Sequence, residues 1–351
     1  MKLKVAVIFG GRSAEHEVSL LSARNIISAL DKNKYKIVLI GIDKKGHWYL
    51  EDQAHYLLNP DNPKLIGLAR SGKELVLPPT PLARQNLSVD VAFPVLHGTY
   101  GEDGTIQGFL KMAGIPFVGA GVLGSAVGMD KEVQKRLLRD AGIPTARFVV
   151  LANPSPLAPS HFLSPLFVKP ANLGSSVGVS KVYNQKELKR AIKEAFKYDT
   201  KVLIEEAVAG REIECAVLGN EKPVASLPGE VIPAGSHEFY DYDAKYFDEN
   251  GATLQIPAKL SKEQVSKIQK ISVKAFKALN CEGMARVDMF LKPDGKVLVN
   301  EINTIPGFTD ISMYPKLWEV SGLPQTALLD RLIELAISRF DNERKLSISR
   351  N

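Results

Sequence analysis

MARVDMFLKPDGKVLVNEIN, residues 284 to 303, reads as a β-hairpin: two strand-like apolar runs closed by the turn residues Lys292-Pro293-Asp294-Gly295. Glu301 and Asn303 stand two apart on one strand, so both project from the same face. Asp288 lies 13 positions before Glu301 and joins that face if the turn contributes an even number of loop residues. Three oxygen-bearing side chains on one face make a hard-cation site, suited to Mg²⁺, which takes a few carboxylates and completes its octahedron with substrate phosphates. The plain alternative is a solvated polar face. Against it, Val287, Val297 and Val299 make the strands apolar, and Arg286-x-Asp288 with Asn303 shortly before Pro306-Gly307 is not a pattern that solvation requires.

Upstream, FVKPANLGSSVGVSKV, residues 167 to 182, sets Lys169 ahead of a run containing Gly174 and Gly178. Glycine lets a chain curl until successive backbone N–H groups converge on an anion, so a phosphate-cradling loop is one reading. A hairpin turn is the other. The lysine precedes the glycines, the reverse of the G-x-x-x-x-G-K-[ST] order, which rules out a P-loop. With Lys131 opening a helix in GMDK and a strand ending in Glu205-Glu206, the run fits a nucleotide between two α+β units, its phosphates bridged by the metal face.

At 351 residues the chain exceeds one ordinary core and predicts two or three domains. It is 45% hydrophobic and 24% charged, with no apolar run of the ~18 residues a membrane span needs. MKLKVAVIFGG lacks the longer apolar stretch and small-residue cleavage site of a signal peptide. Cys215 and Cys281 form no metal-ligand spacing, and a reducing cytoplasm is the expected compartment. The net charge of +6 is spread along the chain rather than gathered in a stripe, which fits anionic small ligands and argues against nucleic acid.

KVAVIF (4–9), YKIVLIGID and VDVAFPVLHG are strand-like, and the apolar spacing from Val18 to Leu30 is helical. Strands alternating with helices predict a parallel α/β sheet with ligands at the carboxyl ends of its strands. Residues 43–88 are polar and weakly periodic and read as an insertion without chemistry of its own. Beyond about residue 120 a helix at 130–141, short strands (RFVVL, PLFVKP, GVSKV), the helix QKELKRAIKEAFKY and the strand KVLIEEAV predict a small α+β unit. Strands at 211–219 and 222–227, a Tyr- and Asp-rich loop at 235–252, a helix at 261–279 and the hairpin complete the chain. That loop holds Tyr240, Tyr242, Lys245 and Tyr246 and runs for about 18 residues, long enough to read as a lid that keeps water from a reactive intermediate.

These motifs together resemble the D-alanine–D-alanine ligases of the ATP-grasp superfamily, specifically their longer subgroup. The likeness rests on GGRSAEHEVSL (10–20), HGTYGEDGTIQG (97–108), GMDK (128–131), KPANLGSSVGVSKV (169–182), FYDYDAKY (239–246), RVDMF (286–290) and NEINTIPGFTDISMYP (300–315), in the family's order over nearly the whole chain. It implies an N-terminal α/β substrate-binding domain (1–122) followed by a two-lobed ATP-grasp fold, with a central lobe (123–212) and a C-terminal lobe (213–351). It also implies a two-step ligation for peptidoglycan precursors: ATP phosphorylates one D-alanine, and the amine of a second attacks the acyl phosphate.

By the same resemblance Lys131 and Lys169 hold phosphates, and Ser175 and Ser176 close over the γ-phosphate. Adenine lies against Glu205, Glu206 and Val208 through backbone hydrogen bonds, and Glu212 takes the ribose. Asp288, Glu301 and Asn303 carry two Mg²⁺ or Mn²⁺ ions. Glu15 partners the first ammonium, with His97 and Glu102 on the same side, while Arg286 and the Gly307 N–H face the oxyanion. Lys245 points toward phosphate, Ser312 binds the second carboxylate, and Tyr246 joins Ser175 and Glu15 in one network. A cytoplasmic homodimer without membrane or nucleic-acid partners is implied too. Bland readings remain for two positions: Arg286 pairing with Glu301 on the sheet, and His97 as a satisfied turn histidine. A D-alanine–D-lactate ligase and a non-catalytic nucleotide-binding protein are the rival functions. The lack of G-x-G-x-x-G in the first glycine turn argues against a dehydrogenase.

Overall fold

The computed structural model describes residues 1–75, 89–152, 165–233 and 251–347. Among these, three main sheets follow one another along the chain. The first holds β1 (Leu3–Gly10), β2 (Tyr35–Ile42), β3 (Trp48–Glu51), β6 (Lys73–Leu75) and β7 (Val91–Pro94), in the order β6-β3-β2-β1-β7. β1 runs parallel to β2 and β7. Its residues Val5 to Phe9 are all buried, as expected of a central parallel strand covered on both faces. Helix α1 (His16–Ala29) makes the crossover and buries Val18, Leu20, Ala23 and Ile26. The segment read as an insertion extends this sheet by an antiparallel edge, β3 and β6, and adds a small hairpin of β4 (Leu57–Leu58) and β5 (Gly67–Leu68).

Helices α2 (Thr105–Met112), α3 (Val122–Met129) and α4 (Lys131–Asp140) lead to the second sheet. Asp130 caps α4 by accepting the Glu132 and Val133 N–H groups at 3.0 and 3.1 Å, which fixes Lys131 as the first helical residue. The second sheet is antiparallel, β8 (Phe148–Leu151), β9 (Leu166–Pro170), β10 (Ser180–Val182) and β11 (Val202–Glu206), in the order β10-β9-β11-β8. Helix α5 (Gln185–Ala195) covers it with Leu188, Ala191, Ile192 and Ala195, a three- and four-residue spacing that places all four on one face. Burying Leu188 and Ile192 contributes about 1.5–3 kcal/mol each.

The third sheet contains β12 (Arg211–Gly219), β13 (Val224–Ala225), β14 (Gly229–Pro233), β15 (Ala252–Gln255), β16 (Gly283–Leu291) and β17 (Val297–Asn303). Its main order is β15-β14-β12-β16-β17, and β13, shorter than the 222–227 run predicted, pairs with β12. Helix α6 (Lys262–Ala278), started by the Ser261–Gln264 capping box, packs Ile268, Ala275 and Phe276 on Val287, Val297 and Val299. On the opposite face, Glu212 and Glu214 of β12, Arg286 and Asp288 of β16 and Glu301 and Asn303 of β17 are polar, while Ala216, Leu218 and Met284 join a second core. Helices α7 (Met313–Val320) and α8 (Gln325–Arg344) then return to the first sheet, and Leu328, Leu329 and Leu332 share one core with Phe9, Phe93 and Leu218. The three sheets thereby surround a common cleft.

Candidate active site

The hairpin reaches its polar face by a route the loop length alone does not provide. Residues 292–296 form an odd loop of five, so a regular ladder would set Asp288 opposite Asn300 and turn Glu301 to the core side. Instead Met289 pairs with Val299 and Asp288 with Glu301, so Asn300 is an extra, bulged residue. Asn300, Glu301 and Asn303 are consequently all half-exposed, between buried Val299 and Ile302. Arg286, Asp288 and Phe290 lie on the same face of β16. Arg286 grips Asp288 through Nε and Nη2, each at 2.7 Å, and Asn303 Nδ2 donates to the same carboxylate at 2.9 Å. Arg286 also meets Glu214 of β12 at 2.9 Å.

A first cavity runs between the second and third sheets. Lys131, Lys169, Ser175, Ser176, Glu205, Glu206, Val208, Glu212, Asp288 and Glu301 all line it. Lys131 Nζ donates to Leu173 O at 2.7 Å and stands 3.4 Å from the Glu301 carboxylate. Lys169 Nζ is 2.6 Å from Glu205. In the loop after Lys169, between β9 and β10, Ser175 and Ser176 take φ of 49° and 60°, two consecutive left-handed residues. Glu205 is buried against Lys169 and Lys135. Burial alone would push its carboxyl up, and the two ammoniums more than reverse this, leaving it below the ordinary value. Glu206 is spent on Arg147, which donates through Nε at 2.8 Å and through its backbone N–H at 3.0 Å. The side chains of Glu205 and Glu206 are thus both engaged within the protein.

A second cavity holds Glu15, His97, Glu102, Arg286, Asn303, Gly307 and Ser312, and shares Gly174, Ser175, Glu214 and Glu301 with the first. Glu15 caps α1 without a side-chain bond to the helix, and its carboxylate accepts the Ser175 hydroxyl instead. Gly98 and Gly174 press on it: a Cβ would lie 2.6 Å from Glu15 Oε2 at the first and 2.8 Å at the second. Gly307 is required in the same way by Ser312, whose Oγ would sit 2.7 Å from an added Cβ. Ser312 heads α7 and accepts the Thr309 N–H at 2.9 Å.

His97 has both ring nitrogens engaged. Nδ1 lies 3.1 Å from Ile305 O, which only accepts, so Nδ1 carries the proton; Nε2 takes the Ser22 hydroxyl at 3.0 Å, and Ser22 Oγ accepts the Phe308 N–H at 3.2 Å. Burial lowers its pKa to about 4, so it is neutral at pH 7 and ties α1 to the 305–308 loop. Glu102 accepts N–H groups from Gly98 at 2.8 Å and Ile305 at 3.1 Å. Burial first, then the charge of Glu15, pushes its carboxyl up to about 8.

Three residues escaped the sequence reading. Glu214 stands two beyond Glu212 on β12 and opposite Asp288, a strand spacing that places it on the site face. Lys135 follows Lys131 by one helical turn. Asn300 gave no signal, because a bulge is a property of the pairing and not of the residue. Lys245, Tyr246, Tyr240 and Tyr242, with the proposed lid, lie outside the described residues. Among the described residues no three His, Cys, Asp or Glu side chains gather to hold a metal, and Cys215 and Cys281 are buried free thiols.

The fold and cleft have counterparts among known proteins. Residues 4–120 match the family described as D-ala D-ala ligase N-terminus, and residues 137–334 the family described as D-ala D-ala ligase C-terminus. The chain is 54% identical to a D-alanine–D-alanine ligase of Oceanobacillus iheyensis, covering 100% of both chains. Among solved structures it resembles the D-alanine–D-alanine ligase of Coxiella burnetii, with 44% identity, TM-score 0.83 and 98% of each chain covered. It also resembles a D-Ala:D-Ser ligase of Enterococcus faecalis, with 37% identity and TM-score 0.79 over 96% of this chain and 100% of the other. The architecture is that of an ATP-grasp enzyme preceded by a parallel-sheet unit. Within that class, the chain belongs to the D-alanine–D-alanine ligase family.

Proposed function

We infer that the protein joins two D-alanines at the expense of ATP, making the dipeptide used in peptidoglycan precursors. The observation that carries this reading is the wall common to the two cavities: Gly174, Ser175, Glu214 and Glu301 border both, so a phosphoryl group entering from one side meets a carboxylate on the other. In the first step a carboxylate oxygen of one D-alanine displaces ADP from the γ-phosphorus. In the second the neutral amine of another D-alanine adds to the acyl carbon, and phosphate leaves as the nitrogen loses its proton.

Phosphoryl transfer calls for alignment and charge neutralisation rather than covalent help. Lys131 and Lys169 supply fixed positive charge, and the left-handed Ser175-Ser176 turn supplies N–H groups. Glu212 takes the ribose and the backbone of Glu205 to Val208 the adenine, a reading supported by their shared place on the wall of the first cavity. Glu15 takes the first ammonium, with Glu102 and His97 shaping that end. Arg286 and the Gly307 N–H face the oxygen on which charge develops. Ser312, at the start of α7, takes the second carboxylate where the helix dipole favours an anion.

The face of Asp288, Glu301 and Asn303 fits a hard divalent cation. It offers two carboxylates and an amide whose N–H goes to Asp288, leaving the amide oxygen as a further hard donor. Two ions of Mg²⁺ or Mn²⁺ bound there would offset phosphate charge; with so few protein ligands, phosphates and water would complete their shells. Among the described residues no helix is long and apolar enough to cross a membrane. A cytoplasmic homodimer, with boundaries near 122 and 212 separating three domains, completes the proposal, and light scattering checks the dimer. ADP release measured with D-alanine, L-alanine and D-lactate offered separately tests the function: release with D-alanine alone supports it, and release with D-lactate alone overturns it.

A further inference from the structure

Lys135 is a fully buried lysine that none of these roles uses. It lies one turn beyond Lys131 on α4, so both ammoniums leave the same side of the helix. Its Nζ is 3.0 Å from Glu205 Oε1 and 3.1 Å from the carbonyl oxygen of Asn300, the bulged residue of β17. The other Glu205 oxygen holds Lys169 at 2.6 Å, and Lys169 reaches the Asn300 side-chain oxygen at 3.5 Å. These four residues close a ring joining α4, β11, β9 and β17. Taking an ammonium wholly out of water is costly, and an apolar side chain of the same length would fill the space. A group retained at that cost is expected to fix a geometry.

We propose that Lys135 is a positioning residue that sets two parts of the site at once. By binding the Asn300 carbonyl it holds the bulge that brings Glu301 opposite Asp288. By binding Glu205 it fixes the carboxylate that aims Lys169 into the nucleotide cleft. Without that ammonium Asn300 loses its bond, and the β16–β17 ladder is free to relax toward the regular register that turns Glu301 away. Glu205, left with one cation, draws Lys169 inward. Neither change touches Glu15 or Ser312, and of the residues bordering the second cavity only the shared Glu301 is turned. The inference rests on Lys169 as a phosphate residue and Glu301 as a metal residue.

The test compares the unmodified protein with Lys135→Met, which keeps the stem and removes the charge, well below the melting temperature of either. A non-hydrolysable ATP analogue is titrated calorimetrically at several Mg²⁺ concentrations, and the KM for D-alanine is measured separately. Losing hydrogen bonds from a charged group weakens nucleotide affinity about tenfold to a hundredfold and raises the Mg²⁺ concentration needed for it, with KM for D-alanine within about twofold. A Lys135→Met protein that melts earlier yet binds Mg²⁺ and nucleotide as the unmodified protein does overturns the proposal, because a merely structural lysine would behave so. If that variant does not fold, Lys135→Met with Glu205→Gln removes both halves of the buried pair, and unchanged nucleotide affinity in this double variant is equally fatal. Failure of the unmodified protein to bind the analogue with Mg²⁺ would instead overturn the nucleotide reading on which the inference stands.

Discussion

The Ser175 hydroxyl donates to the Glu15 carboxylate across 160 positions of sequence, joining the phosphate loop to the first helix of the N-terminal sheet. Glu15 lines the second cavity, and Ser175 lines both. Ser175→Ala is therefore expected to lower kcat/KM for D-alanine by about 10- to 100-fold, the worth of a hydrogen bond to a charged group. Gly174→Ala should act in the same direction, since its Cβ would lie 2.8 Å from Glu15 Oε2. Steady-state kinetics with D-alanine varied at saturating ATP would decide, and normal values in both variants would dissolve the link.

Glu102 makes ligand-free stability depend on pH. Its folded pKa, about 8, lies above the ordinary 4.5, so between those values the folded protein holds a proton the unfolded chain has released, and stability falls as pH rises. His97 has the opposite sign: its folded pKa of about 4 lies below 6.5, so its contribution grows between those values and is level above them. From pH 6.5 to 8 the Glu102 effect stands free of His97. Over that window Glu102→Gln should flatten the decline by up to about 2 kcal/mol, read as the difference between two series of melting curves.

The same carboxyl predicts a proton count. Glu15 and Glu102 line one cavity, and an ammonium entering it favours the ionised form of both. D-Alanine binding at pH 7 should release up to about one proton per site, absent in Glu102→Gln. Calorimetry in two buffers of different ionisation heat measures it, and equal heats for the unmodified protein would refute the assignment.

Glu301→Gln keeps the shape of the metal face and removes one of its two carboxylate charges. ADP release should fall by about two orders of magnitude or more and need more Mg²⁺, because a hard cation loses an anionic ligand. The melting temperature should move little, since the facing Lys131 keeps its bond to Leu173 O at 2.7 Å. Full activity at ordinary Mg²⁺ would remove Glu301 from the metal face.

Glu214 stands 2.9 Å from Arg286 Nε, the same nitrogen that donates to Asp288. Glu214→Gln should let Arg286 swing, lowering kcat about tenfold while KM for ATP stays within about twofold, the signature of a contact felt in the transition state. An equal rise in KM for ATP would place Glu214 with the nucleotide instead.

Local chemistry made much of this legible in the amino-acid order. Period-two and helical spacing located β1, α1, β2, α4, α5, β12 and α6, and the two-residue step from Glu301 to Asn303 put both on one face. Lys131 at a helix start and Lys169 before a glycine run were visible because caps and glycine turns are written in neighbouring residues. What the order of residues left open was long-range. An odd loop should have separated Asp288 from Glu301, and a bulge at Asn300, bound from another helix by Lys135, brought them together. Arg286 found Glu214 because β12 lies beside β16, a neighbour relation that spacing within one strand does not contain. The partners of His97, Ser22 on one ring nitrogen and Ile305 on the other, come from positions 75 and 208 residues away and could not be read from its own neighbourhood. Sequence by itself determined which residues carry charge and which way each faces on its own element; the tertiary structure decided register, partner and proton affinity, because these depend on groups brought together from positions far apart in the chain.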